Sequence, residues 1–331
     1  MANYLVTGVA GFIGARTAEL LLEAGHTVVG VDDLNDAYDV RVKEHRLQML
    51  KKRSGFNFQY LDFSQWELLD GMLTRVLEPP DASPFNAVIN LAARAGVRQS
   101  VINPWIYLQT NITGTLNLLE ACRKYDIPKF ILASTSSVYG ENAPLPTAEE
   151  ANSDRPLQPY AASKKAAEVL CHTYHYLYGL DVTVFRYFTV YGPAGRPDMV
   201  MFRFIQWISE GRQVKVNGDG QQSRGFTYVD DVARGTILGL KPLGYQVINL
   251  GGHECLKVTE LISVLENLIG KKARLEYLPR HPADMLVNWA NVDKARQLLG
   301  WEPQVSLKQG ISAAVDWYST ERNWASQVNT E

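Results

Sequence analysis

Tyr160-Ala-Ala-Ser-Lys164 sets a phenol and an ammonium four residues apart. On a helix that spacing puts both on one face. A cation beside a phenol stabilises the phenolate and lowers its pKa. A tyrosine so placed can take a proton from a hydroxyl and return it in the reverse direction. Taken alone, such a pair is more often an exposed surface pair. Its neighbours change the weighting. Ala133-Ser134-Thr135-Ser136-Ser137-Val138-Tyr139-Gly140 follows an apolar strand at Phe130 to Ala133 and offers a row of hydroxyls. Such groups can hydrogen-bond a reacting oxygen at the carboxyl edge of a sheet, where ligands bind in open α/β folds. Without the tyrosine the same stretch would read as a Ser/Thr-rich turn.

A second constellation lies at the N-terminus. Thr7-Gly8-Val9-Ala10-Gly11-Phe12-Ile13-Gly14 stands directly between a short apolar strand, Tyr4 to Thr7, and a helix predicted over Gly11 to Ala24. Glycines at this junction permit a tight turn and let backbone N–H groups approach a pyrophosphate at the helix N-terminus. Asp32 closes the next strand, Thr27 to Val31, 18 residues after Gly14. A carboxylate there accepts both ribose hydroxyls of an adenosine and repels a 2′-phosphate, which favours NAD over NADP. Asp33 can share that role. Asp62, after a third strand at Phe56 to Leu61, reads equally well as an adenine contact or as a loop acid capping a helix.

These groups need a scaffold that alternates strand and helix. Further strands are expected at Ala87 to Leu91 and Val182 to Arg186, with helices between, notably Tyr107 to Tyr125. The pattern predicts a doubly wound parallel α/β sheet with right-handed crossovers. After about Tyr191 it loosens, and short strands at Val214 to Val216 and Val247 to Leu250 mix with helices. We read residues 1–190 as the dinucleotide-binding domain and 191–331 mainly as a smaller α/β substrate lobe, with the chain crossing between them.

The chain's 331 residues carry 33 Lys plus Arg against 35 Asp plus Glu, a net charge of −2, which disfavours a nucleic-acid binder held by phosphate attraction. Cys122, Cys171 and Cys255 lack metal or disulfide spacing. His172 and His175 lie one turn apart without a further ligand at suitable spacing, so they read as structural and no metal is expected. The uncharged run Gln99 to Leu119 holds Asn, Gln, Pro and Thr and does not read as a membrane span. A soluble, cytoplasmic protein is expected.

Taken together, the glycine pattern, Asp32, the Ser/Thr strand end and Tyr160-x-x-x-Lys164 resemble the extended short-chain dehydrogenase/reductase family, with its Rossmann-like NAD-binding domain. Arg186-Tyr187-Phe188, Arg224-Gly225-Phe226-Thr227-Tyr228-Val229-Asp230-Asp231 and Leu299-Gly300-Trp301 match its C-terminal half, so the resemblance covers almost the whole chain. Within that family, Ala92-Ala93-Arg94-Ala95-Gly96-Val97-Arg98 and Phe188-Thr189-Val190-Tyr191-Gly192-Pro193-Ala194-Gly195-Arg196-Pro197-Asp198-Met199 resemble the UDP-glucuronate 4-epimerases.

What the resemblance implies is specific. NAD contacts would come from Gly8, Gly11, Phe12, Ile13 and Gly14, then from Asp32, Asp33, Asn35, Asp62 and Phe63. Leu91, Ala92, Ala93, Asn111, Ser134 and Tyr187 would complete them with Tyr160 and Lys164. Tyr160 would be the base, Lys164 its cation, and Thr135, with Ser136 and Ser137 beside it, the group at the sugar O4. Arg94 and Arg224, with Arg280 and Asp284, would meet the nucleotide sugar. Arg94 stands where the family usually has Gln, and Ala283 where it often has Gly. Because a 4-keto uronic acid can lose CO₂, its carboxylate must be held, and Thr189 and Arg196 are the expected grip. Alternatively, Arg196 is a solvated loop residue. A homodimer through the helices of Tyr107 to Tyr125 and Tyr160 is also implied. Competing functions are a UDP-glucose 4-epimerase, a uronate decarboxylase and a non-catalytic NAD-binding sensor. A 4,6-dehydratase of this family would show Asp-Glu after Thr135, where Ser136-Ser137 stand.

Overall fold

The computed structural model describes residues 1–79, 83–252, 254–279 and 287–330. Its strands are β1 (Asn3–Thr7), β2 (Thr27–Asp32), β3 (Phe56–Tyr60), β4 (Ala87–Asn90), β5 (Lys129–Thr135), β6 (Asp181–Tyr187), β7 (Thr189–Tyr191), β8 (Gln213–Asn217), β9 (Ser223–Tyr228), β10 (Tyr245–Leu250), β11 (Cys255–Lys257), β12 (Arg274–Leu278) and β13 (Val287–Asn288). Seven of them form one sheet in the order β10-β6-β5-β4-β1-β2-β3. Every pairing in it is parallel. Neighbouring residues of a strand feed different cores: Val6, Val28, Ile89 and Ile131 one, Leu5, Val29, Val88 and Phe130 the other. That alternation is what helices on both faces of a parallel sheet require.

The strand order reverses between β1 and β4, so a crevice opens at their carboxyl ends. The glycine loop and the segment after β4 meet there. The smaller lobe is built around β9, which pairs with β7, β11 and β13, together with a β8–β12 pair. Its own core holds Phe202, Trp207, Val214, Leu261, Ile311 and Tyr318.

Two expectations are corrected. Val247 to Leu250 does not belong to the smaller lobe: β10 returns to the main sheet and pairs with β6. A short apolar strand carries no signal for which sheet it joins. The helix expected over Tyr107 to Tyr125 is broken into Pro104–Leu108, a π-helical turn Gln109–Thr113 and Gly114–Lys124. The break has consequences for Asn111, below.

The C-terminal motifs tie segments far apart in the chain together. Asp230 takes the Arg16 guanidinium side-on, with both contacts at 2.9 Å, and so ties the glycine-loop helix Phe12–Glu23 to the helix Val229–Leu238. The Asp231 carboxylate accepts from the backbone N–H groups of Gln304 and Val305, and its carbonyl takes the Trp301 indole N–H at 2.8 Å. Trp301 is fully buried. Trp301→Ala is expected to cost about 3–5 kcal/mol of stability, read as a lowered urea midpoint.

Candidate active site

Gly8 has φ +68°, a conformation open to glycine, and a Cβ there would come within 2.6 Å of the Ala92 backbone. A side chain on Gly14 would overlap the Gly8 carbonyl oxygen. The helix that starts at Phe12 has no side-chain cap and no acid in its first turn. Its N–H groups and dipole are therefore left for an anion. Asp32 is buried at the end of β2 and accepts from the Ala10 and Leu34 N–H groups at 3.0 and 2.9 Å. Burial pushes its carboxyl up, against the Lys43 charge 4.0 Å away. Asp33 accepts from Asn35, and Lys43 donates to the Asn35 carbonyl and side chain. This donor set, an open helix N-terminus with a carboxylate at the next strand end, fits an adenine dinucleotide.

Tyr160 lies on the helix Pro159–Tyr178, where Thr135 and the Arg196 charge both act to lower its pKa. Lys164 is buried and donates to the Ala133 carbonyl at 2.8 Å. Burial lowers its pKa to about 8. The phenol behaves differently from the sequence expectation. Burial holds the Tyr160 pKa above its ordinary value, outweighing Thr135 and Arg196. The protein alone therefore keeps the base protonated, because desolvation exceeds the help these two groups give.

Several expected contacts serve the scaffold. Asn111 is buried in the π-helical turn, where its Oδ1 accepts from the Arg94 N–H and its Nδ2 donates to the Arg94 carbonyl and the Ser163 hydroxyl. It positions the β4 loop against the catalytic helix. Ser134 turns away from Thr135 and donates to Glu168 at 2.5 Å, as strand alternation requires. Glu168 is paired with Arg186 through two hydrogen bonds. The Tyr187 hydroxyl is buried against Thr236, and the Phe63 ring packs on Gly114. Asp62 accepts from the Ser64 N–H, the loop-acid role. The side chains of Ser134, Tyr187 and Phe63 are thus engaged within the protein.

Phe12 is buried and stacks under Arg46, Ile13 is half-buried on the first core, and Leu91, Ala92 and Ala93 follow β4 beside Gly8. Arg94 reaches sideways to Asn35 and Asp36, each at 3.3 Å, bridging the loops after β4 and β2. That ties it to the loop after β2. Ser136 accepts from Asn288, and the Ser137 N–H caps onto Thr135. Thr189 opens β7 two residues past Tyr187, the register partner of Thr135. Arg196 is clamped by Asp198 through Nε at 3.1 Å and Nη2 at 2.6 Å. Arg224 lies on β9 and donates to the Ser223 carbonyl, while Arg280 and Asp284 lie outside the described residues. His175 Nδ1 is bonded to the Leu180 carbonyl and His172 packs edge-on against Tyr245.

Comparison with known proteins follows this geometry. The model of the NAD dependent epimerase/dehydratase family matches residues 4–251. The chain belongs to this family. A UDP-glucuronate 4-epimerase of Thermodesulfobacterium geofontis is 54% identical over 318 residues, covering 96% of each chain. A crystal structure of the UDP-glucuronic acid 4-epimerase from Bacillus cereus, in complex with UDP-glucuronic acid and NAD, superposes with a TM-score of 0.88 at 38% identity over 96% of this chain and 99% of that one. A UDP-glucose 4-epimerase from Thermotoga maritima, with UDP-glucose, gives 0.87 at 33% over 97% and 99%. NAD is the cofactor of the family, and the donor set above suits it.

Sequence reasoning missed Glu168, Lys43, Tyr38 and Arg46. Glu168 continues the four-residue spacing of Tyr160 and Lys164, so helical periodicity alone could have flagged it. The others have no local signal. Tyr160→Phe is expected to lower kcat by about 10²–10⁴-fold while NAD still binds. Lys164 is cationic below its lowered pKa, so kcat/KM is expected to fall as pH rises through about 8. Lys164→Arg should remove that fall, read from initial rates across pH.

Proposed function

We propose that this protein interconverts UDP-glucuronate and UDP-galacturonate by NAD-dependent 4-epimerisation through a transient 4-keto sugar. One observation carries the proposal: the Arg196 charge acts on the Tyr160 phenol, which supports assigning a carboxylate reader and a general base to one site. Asp198 takes the side-on edge of the Arg196 guanidinium. The end-on edge is left for a second carboxylate in bidentate geometry. NAD supplies the hydride acceptor for the sugar C4.

Thr135 is placed to hydrogen-bond O4 and to relay its proton with Tyr160. Lys164 is held by the Ala133 carbonyl near the end of β5 and is assigned as the cation that supports the base. An arginine that anchors the carboxylate restrains C6, and so disfavours ring conformations that align the C5–C6 bond with the ketone π system, from which CO₂ would be lost. Thr189 is assigned to the same carboxylate from its place at the start of β7.

A homodimer is part of the proposal. Ile102, Trp105, Val169, Tyr176 and Leu177 are large apolar side chains more than half exposed on the helices flanking residues 97–124 and on the catalytic helix. Among the described residues no helix is long and apolar enough to cross a membrane. A cytoplasmic site fits two buried free cysteines, Cys122 and Cys171.

Proton NMR of purified protein with NAD and either UDP-glucuronate or UDP-glucose tests the reading. UDP-galacturonate in the first tube is expected. A UDP-pentose with released CO₂ would replace it by a decarboxylase, and turnover confined to UDP-glucose would replace it by a neutral-sugar epimerase. Arg196→Ala is expected to lower the glucuronate-over-glucose preference by about 10-fold or more.

A further inference from the structure

We infer that Arg46 is a positioning residue that couples the cofactor loop to the grip of Arg196 on the sugar carboxylate. The inference rests on the carboxylate role of Arg196 proposed above. Arg46 lies on the helix Val40–Lys51, away from every sequence motif, and is only 5% exposed. Its guanidinium spends its donors on three separate segments. Nε and Nη2 donate to the Ala194 carbonyl at 2.9 and 2.6 Å, and Nη2 also to the Gly195 carbonyl at 3.1 Å. Nη1 donates to the Ala10 carbonyl at 3.1 Å and to the Tyr38 hydroxyl at 2.8 Å.

Each acceptor belongs to a ligand-handling segment. The peptide N–H of Ala10 is the donor to Asp32, so this residue links Arg46 to the ribose acceptor. Ala194 and Gly195 immediately precede Arg196, and Ala194 holds a positive φ of 50°, which a non-glycine residue adopts at a cost. The carbonyl contacts from Arg46 hold it there. The Tyr38 ring is near both guanidiniums, its centroid 5.8 Å from Arg46 and 5.7 Å from Arg196. Among the described residues no carboxylate pairs with Arg46. A buried cation met only by carbonyl and hydroxyl oxygens depends on all of them being in place. A shift of the glycine loop therefore reaches the 194–196 turn through one rigid planar group. Lysine cannot substitute, because its donors radiate from a single point and cannot span three segments.

A brace that merely stabilised the lobe would change stability and turnover of all substrates alike. Positioning of Arg196 predicts a selective effect. Arg46→Lys, Arg196→Ala and the double variant are compared by kcat/KM for UDP-glucuronate and UDP-glucose at saturating NAD. Arg46→Lys is expected to lower the glucuronate preference by about tenfold and to add nothing in the Arg196→Ala background. An equal effect in both backgrounds, or none in either, overturns the inference while the role of Arg196 stands. If Arg196→Ala itself leaves the preference unchanged, the carboxylate reading falls and this inference falls with it. Amide hydrogen exchange gives a readout independent of activity. Faster exchange in both 8–11 and 193–199 is expected for Arg46→Lys, and acceleration of only one segment refutes the coupling. Tyr38→Leu, which removes the ring near both cations, should lower the preference in the same direction if Arg46→Lys folds poorly.

Discussion

The close approach of bare backbone at the β1 turn is the constraint on which this molecule depends. Gly8 lies against Ala92, and Gly14 against the Gly8 carbonyl, at separations no Cβ permits. That contact seats the helix Phe12–Glu23 over the sheet and opens its N-terminus at the point where the strand order reverses. The Arg16–Asp230 pair then ties the helix Val229–Leu238 to the same helix. Asp231 and Trp301 fix the C-terminal strap behind it.

Buried polar groups do the fine positioning. Glu168 and Arg186 form an ion pair in the sheet interior and hold Ser134 with it. Such a pair is weak evidence for net stability, since desolvation offsets much of the attraction. Its geometric effect is clearer: it fixes the helix carrying Tyr160 and Lys164 against the strand carrying Thr135. Asn111 does the same from the other side, joining the β4 loop to Ser163. The π-helical turn supplies the extra residue that aims it inward, a common use of such bulges.

The electrostatics of the pair are governed by burial. Tyr160 is kept protonated and Lys164 is brought down to a pKa of about 8, so each is shifted towards its neutral form. A base poised in this way acts when a substrate hydroxyl and the charge of the oxidised cofactor are present together. Arg196, oriented by Asp198, adds a further positive charge that acts on the phenol.

The sequence by itself determined the order of strands and helices, the glycine turn, the acid at the end of β2 and the Tyr160–Lys164 spacing. These are local properties: a periodicity, a turn needing no side chain, or two groups a fixed rise apart on one helix. It was silent on what distant segments bring together. It could not place β10 beside β6, break the helix at Asn111, or engage Ser134 and Tyr187 within the protein. It gave no sign that Arg94 would bridge to Asn35 and Asp36. Arg46 was invisible, because an arginine on an amphipathic helix reads as surface until the turn of another lobe closes over it. Tertiary structure decided these points for one reason. The partner of a buried polar group, and the desolvation that sets its pKa, are fixed by packing between segments far apart in the chain.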